Sequence, residues 1–98
     1  MQAYNLYPAP HPQTAGRVID GEAVLLLAET NEIQVLNPVG SRIFELADGQ
    51  HTLAEIASIL TEEYNVDFHQ ALADVSEFVQ QLVDSQVLVL YDQPRTGP

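Results

Sequence analysis

Residues 36–55 constrain the fold of this chain more than any other segment. Asn37-Pro38 predicts a helix start, because Asn is a good N-cap and Pro suits the first helical position. Asp48-Gly49 predicts the end of that helix. Thr52 and Glu55 have the spacing of a capping box, in which the hydroxyl and the carboxylate satisfy free backbone N–H groups reciprocally. The segment therefore predicts one short helix followed closely by another.

Three strands are predicted before the first helix. Val18-Ile19 forms a short strand, and residues 23–28 form an apolar central strand. Residues 32–36 alternate polar and apolar side chains, as a half-buried strand does. Turns at Asp20-Gly21 and Thr30-Asn31 join the three into an antiparallel meander.

Two longer helices and a final strand follow. The buried stripes of the first two helices are predicted to include Val39 and Tyr64. The third helix is capped by Asp67 and runs to about Asp84, and residues 87–90 form a short closing strand or wing. The order predicts an α+β domain of winged helix-turn-helix-like architecture, with a three-stranded antiparallel sheet, three helices and a short C-terminal strand.

The two ends of the chain are predicted to lie outside the domain. Residues 1–16 contain Pro8, Pro10 and Pro12, and proline opposes regular strand pairing, so we expect a flexible proline-rich tail. The folded domain then covers residues 17–91, and residues 92–98 form a second flexible tail.

The charge of the chain restricts its partners. Fourteen acidic residues stand against three basic ones, for a formal net charge of −11. Such a field repels nucleic acids and anionic membranes and favours cationic partners. The sequence contains no cysteine, no run long enough to span a membrane and no signal-peptide pattern, so we expect a cytoplasmic protein.

The residue pattern predicts no catalytic, metal or cofactor site. His11, His51 and His69 are far apart in the sequence, so the three histidines do not form a metal-binding motif. The glycines form no phosphate-binding loop, and the serines lack the context of an activated nucleophile. We therefore expect a binding protein, not an enzyme.

Two features of the pattern suggest a binding surface. The apolar positions of the third helix span roughly 140° of arc, more than one core contact requires, so the flank formed by Ala71, Val75 and Phe78 is available to a ligand, with Asp74 beside it. A deeply buried helix would explain the same pattern. Residues 32–36 could also form an exposed sheet edge that accepts another strand, although such edges are common in ordinary proteins.

The order and spacing of these elements resemble the PqqD family, the small proteins of pyrroloquinoline quinone biosynthesis. More widely, they resemble the recognition elements of ribosomally synthesised and post-translationally modified peptides (RiPPs). The resemblance runs from about Arg17 to Leu90. The matching positions are Leu36-Asn37, Gly40, Ile43, Leu46, Asp48-Gly49, Thr52, Glu55-Ile56, Glu63-Tyr64, Asp74-Val75, Phe78 and Leu82. The chain departs from the family pattern at Gln86, often Gly, and at Pro38-Val39, usually a small or polar pair.

The resemblance implies a non-catalytic chaperone without a cofactor. Such a protein binds the leader segment of a precursor peptide and presents it to a maturation enzyme, either a radical-SAM enzyme or a leader peptidase and cyclase of a lasso-peptide pathway. The leader adds as a strand to the sheet edge and packs against the third helix. The implied peptide-binding residues are Glu32, Ile33, Gln34, Val35, Leu36, Ala71, Asp74, Val75 and Phe78. Of these, Ile33 or Val35 would form an apolar pocket with the third helix.

Two other functions fit the topology. A winged-helix DNA-binding protein is disfavoured because the third helix carries Asp74, Glu77 and Asp84 and no basic residue. A module that binds a folded partner stays open. The exposed edge and the aromatic N-terminal tail also suggest a homodimer.

Overall fold

Two antiparallel sheets and three helices make up the part of the chain that the structure describes, residues 3–27 and 30–95 of a computed structural model. A short 3-10 turn at Ala3–Asn5 precedes the regular elements. These are β1 (Tyr7–Pro10), β2 (Ala15–Ile19), β3 (Glu22–Leu27), β4 (Glu32–Val35), α1 (Pro38–Leu46), α2 (Leu53–Tyr64), α3 (Phe68–Asp84) and β5 (Leu88–Tyr91). The predicted α+β order of three-stranded sheet, three helices and C-terminal strand is confirmed.

The meander β2-β3-β4 has one face on the core and one face in solvent. Directly opposed residues of antiparallel strands point to the same face, and Leu25 of β3 is fully buried. Gly16 and Gln34, the partners of Leu25, therefore point to the inner face. We define the outer face as the residues of the opposite parity, namely Ala15, Arg17, Ile19, Glu22, Val24, Leu26, Ile33 and Val35.

Local sequence chemistry explains the turns and caps. Asp20 and Gly21 both have positive φ, 53° and 79°, as a two-residue hairpin of this composition requires. The side chains of Asn37 and Asp67 cap α1 and α3, and the predicted capping box of α2 is present. These start signals are satisfied within a few residues of chain, which explains why the sequence predicts them correctly.

A buried hydroxyl joins the sheet to α1. The Ser41 Oγ accepts the backbone N–H of Ala23 at 2.8 Å and donates to the backbone carbonyl of Leu36 at 3.1 Å. Leu36 in turn donates its own N–H to the carbonyl of Ala23 at 2.9 Å. The end of β4 is thereby fixed to the first turn of α1.

The prediction of a flexible N-terminal tail is wrong for the residues that the structure describes. Tyr7–Pro10 forms β1, which pairs antiparallel with β5, and Pro8 and Ala9 are buried. Because His11 donates its N–H to Val87, the alternation of an antiparallel ladder directs the N–H positions of residues 8 and 10 away from β5. Proline at those two positions removes no bond between β1 and β5.

The C-terminal segment is also bound to the domain where it is described. Arg95 donates its backbone N–H to the carbonyl of Gly49, and Gly49 donates to Pro8, both at 2.8 Å. The Arg95 guanidinium lies 4.4 Å from the centroid of the Tyr91 ring. The prediction of a flexible tail from residue 92 is therefore wrong as far as Arg95. Residues 1–2, 28–29 and 96–98, including the predicted end of the central strand at Ala28, lie outside the described residues.

Candidate functional site

Strand β4 has a free edge. It pairs with β3 on one side, and no strand within residues 3–27 and 30–95 pairs with its other side. Leu36 bonds directly to Ala23, so the alternation of the ladder directs the backbone groups of Gln34 and Glu32 toward β3 as well. The N–H and C=O groups of Ile33 and Val35 therefore point outward. Two donors and two acceptors are available to an added strand.

The apolar side chains of β4 do not form the pocket with the third helix that the sequence predicts. Ile33 and Val35 lie on the outer face, where 71% and 53% of their surfaces are exposed. They do not face α3. Glu32 and Gln34 point to the inner face and are exposed as well. The prediction that Ile33 or Val35 joins a pocket with the third helix is therefore wrong, because the register with Leu25 sets the parity.

A groove opens where the free edge of β4 ends. It lies between α1 and α3, has a volume of about 310 Å³, and is called the α1–α3 groove here. Its lining residues are Asn37, Val39, Gly40, Ile43, Asp74, Glu77, Phe78 and Gln81. Asn37 follows β4 after one residue and caps α1 by accepting the Gly40 N–H at 2.7 Å. Asn37 therefore caps the helix and also lines the groove at the end nearest β4.

Gly40 allows the two walls of the groove to approach closely. A Cβ atom built at Gly40 would lie 3.0 Å from the Phe78 Cζ atom, closer than ordinary carbon contacts. The half-buried Phe78 ring therefore packs against the backbone of α1 and forms part of the groove wall. Phe78 therefore packs α3 against α1 and also presents one face of its ring to the groove.

A second cavity of about 330 Å³ continues from the groove toward α2. It shares Val39, Ile43 and Asp74 with the groove and adds Leu60, Tyr64, Val66 and Ala71. Val39 and Tyr64, which the sequence predicts to be buried, are exposed at its walls. Arg42 of α1 forms a bidentate ion pair with Glu63 of α2, which joins the two helices. The nitrogen–oxygen distances are 2.7 to 3.1 Å.

The groove is acidic and apolar. Asp74 and Glu77 lie along it, and among its described lining residues there is no Arg, Lys or His. One oxygen of Asp74 accepts the Gln70 side-chain N–H at 2.9 Å, and a carboxylate has capacity for further donors. The walls therefore suit a segment that carries both apolar and basic side chains.

The Arg42 cluster contributes little positive charge to the site. Hydrogen bonds from the Arg42 guanidinium lower the pKa of the Glu63 carboxyl, and Glu63 together with Glu45 raises the pKa of Arg42. Arg42 also donates to Glu45 at 2.7 Å. The guanidinium is thus occupied by two carboxylates, which leaves the neighbouring groove with its acidic character.

Three of the residues predicted to bind a peptide are placed differently by the structure. Val75 is fully buried in the core, and Ala71 is buried and contributes only to the second cavity. The Leu36 side chain is buried, and its N–H is taken by β3. Three groove residues were not among those predicted to bind a peptide: the N-cap of α1, Asn37, and two residues within the helix, Gly40 and Ile43. The Asn-Pro-x-Gly start of α1 was the available signal, since a glycine in the first turn marks a close backbone approach.

The described residues contain no candidate metal site. Within residues 3–27 and 30–95, no three His, Cys, Asp or Glu side chains are close enough to hold a metal ion. His51 bonds Asp48 at 3.0 Å, and His69 lies edge-on to Phe68. None of the helices described combines the length and the apolar character that a membrane crossing needs.

Comparison with known proteins identifies a family and three similar structures. The family model described as coenzyme PQQ synthesis protein D (PqqD) matches residues 22–88. No curated protein sequence matches the chain. The structure of TbiB1 in complex with the TbiA(beta) leader peptide is 31% identical, with a TM-score of 0.72, over 82% of this chain and 93% of that one.

Two other structures share the fold. Lasso peptide synthetase B1 complexed with its leader peptide is 25% identical, with a TM-score of 0.74, over 85% of this chain and 98% of that one. The PqqD truncation of Methylobacterium extorquens PqqCD, a stand-alone RiPP recognition element, is 24% identical, with a TM-score of 0.70, over 91% and 94% of the two chains. At that identity, the last comparison bears on the fold alone.

Proposed function

Because the chain belongs to the PqqD family, we propose that it is a non-catalytic peptide chaperone. It binds the leader segment of a ribosomally synthesised precursor peptide and presents the bound peptide to a modifying enzyme. Two of the similar structures are complexes with leader peptides, which supports the same ligand class for this chain.

The observation that carries the proposal is the free edge of β4 beside the α1–α3 groove. The outward backbone groups of Ile33 and Val35 supply hydrogen bonds that depend little on the sequence of the added strand. The bound peptide continues past Leu36 into the groove, which begins at Asn37. Affinity from the backbone and selectivity from the groove are thus supplied by adjacent parts of one surface.

The groove favours a leader with one apolar anchor and one basic residue. The anchor fills the space between Ile43 and Phe78, and the basic residue pairs with Asp74 or Glu77. The net charge of −11 accelerates the capture of such a peptide. Ordering a flexible peptide costs free energy, so we expect a dissociation constant between submicromolar and micromolar.

The receiving enzyme is either a radical-SAM enzyme or the leader peptidase and cyclase of a lasso-peptide pathway, and we place the process in the cytoplasm. DNA binding is a poor alternative because α3 would be the recognition helix, and its charged side chains, Asp74, Glu77 and Asp84, are all acidic.

A fluorescence-anisotropy titration tests the proposal. The probe is the labelled leader segment of whichever short precursor peptide is encoded beside this gene. The wild-type chain is compared with Phe78→Ala and with the matched control Phe68→Ala, which truncates an exposed ring at the start of the same helix, outside the groove. Since Phe78 also packs on Gly40, circular dichroism must show that the variant is folded at the temperature of the titration.

We expect saturable binding that weakens at least about tenfold in Phe78→Ala and changes little in Phe68→Ala. Equal effects of the two substitutions would show that the groove is not part of the binding site. No binding by the folded wild-type chain up to about 100 μM would contradict recognition of that peptide and favour a folded partner.

A further inference from the structure

The outer face of the β2-β3-β4 sheet exposes several large apolar side chains. Besides Ile33 and Val35, it exposes 55% of Ile19 and 42% of Leu26. Val24 lies between these side chains at the centre of the face. No element within residues 3–27 and 30–95 packs on this face, because the helices lie on the opposite side of the sheet, with Leu25.

The charge of this face differs from that of the rest of the molecule. Its residues include one cation, Arg17, and one anion, Glu22, which cancel. The whole formal charge of −11 therefore resides on other parts of the chain. A basic partner is attracted to those parts and gains nothing from the outer face, whereas two neutral apolar faces can meet without charge repulsion between the surfaces in contact.

We propose that the outer face is the interface through which two copies of this chain form a homodimer. Two such faces pack sheet on sheet with the two sheets about 10 Å apart, and the apolar side chains of the two copies interdigitate between them. The same patch serves both copies, as a two-fold axis requires. The aromatic N-terminal segment, which suggested a dimer from the sequence, is already paired with β5 of its own chain through β1.

The size of the face sets the expected strength of the dimer. The exposed apolar side chains amount to roughly 400 Å² per copy, about half of the ~800 Å² that each partner buries in a standard interface. The acidic remainder of each copy adds long-range repulsion that salt screens. We therefore expect a weak dimer, with a dissociation constant of tens to hundreds of micromolar that decreases as salt is added.

The dimer does not depend on the proposed peptide binding. The α1–α3 groove lies on the helix side, and the outward backbone groups of Ile33 and Val35 lie along the edge and not on the face. Each copy therefore keeps its own groove and edge open. A dimer joined edge to edge through β4 would instead lose both edges.

Sedimentation equilibrium of the full chain, from about 10 μM to about 1 mM, tests the proposal. We expect the average mass to rise from 10.8 kDa toward twice that value. Ile19→Asp and, as a second variant, Leu26→Asp should each weaken the dimer at least about tenfold, since a charge would be buried in the contact. Val66→Asp is the matched control, because it adds the same charge at an exposed valine in the connection between α2 and α3, outside the face.

Each other outcome overturns the proposal. A wild-type chain that stays monomeric up to about 1 mM has no such interface at relevant strength. Equal weakening by Val66→Asp would show that added charge, and not its position, controls the association. Dissociation of the dimer by a saturating leader peptide would place the contact at the β4 edge. The anisotropy titration of Ile19→Asp reads peptide binding separately, and we expect its affinity to equal that of the wild type.

Discussion

Replacing Ile33 by proline removes one backbone N–H from the free edge of β4 without removing a bond to β3. The N–H of Ile33 points outward, and proline is tolerated where an edge strand has no partner. All four residues of β4 are exposed, so the lost bond costs the net value of a typical hydrogen bond, about 0.5–1.5 kcal/mol. We therefore expect the leader dissociation constant to rise by roughly 2- to 13-fold, measured by anisotropy.

Two variants separate the backbone effect from its alternatives. Ile33→Ala removes the same side chain from the outer face but keeps the N–H, so its affinity should stay within about threefold of the wild type. Gln34→Pro places the same ring one residue later, where the N–H points to β3, and should lower the melting temperature by several degrees through the lost ladder bond. If Ile33→Pro binds the leader as tightly as Ile33→Ala, strand addition at this edge is refuted.

Further predictions concern the groove and the elements that hold it. Ser41→Ala leaves a buried backbone N–H of β3 without a partner, so we expect a loss of about 1–3 kcal/mol, read as a lower urea midpoint; unchanged stability would contradict the bridging role. The double substitution Asp74→Asn and Glu77→Gln should slow leader association and flatten its salt dependence in stopped-flow measurements, and an unchanged salt dependence would exclude charge attraction in the groove. Since the pKa of Glu63 is lowered by Arg42, the ion pair stabilises the fold above the ordinary carboxyl pKa and ceases to do so as the pH falls through the lowered value. Wild type and Glu63→Gln should therefore differ slightly in urea stability at pH 6, and the difference should shrink as the pH falls below the ordinary carboxyl pKa; a constant difference would assign the effect to packing.

The helices could be predicted from the sequence because their signals are local. Asn37 and Thr52 each satisfy backbone N–H groups within three residues, so no tertiary information is needed to recognise them. Val39 and Tyr64 were predicted to be buried because they lie on the apolar stripes of their helices. Their exposure at the cavities between α1, α2 and α3 is a tertiary fact, since a stripe shows which face is apolar and not whether a neighbour covers it.

The N-terminal strand could not be predicted because proline alone carries no information about register. Pro8 and Pro10 are two residues apart, so both fall on the side of β1 that does not bond to β5. Shifting the pairing by one residue would turn both missing N–H groups toward β5 and abolish the strand. Only the identity of the partner and the register, fixed here by the His11 to Val87 bond, distinguishes the two cases.

Register also determines how strand β4 can function. The pattern from Glu32 to Val35 predicts an alternating strand, but it does not state which parity faces the core. The bond from Leu36 to Ala23 decides this, and it decides two properties at once. It turns the apolar side chains of Ile33 and Val35 to the outer face and the backbone groups of the same residues to the free edge. The two residues can therefore contribute side chains to a second copy and main chain to a peptide, and substitutions that separate side chain from backbone are needed to distinguish those contributions.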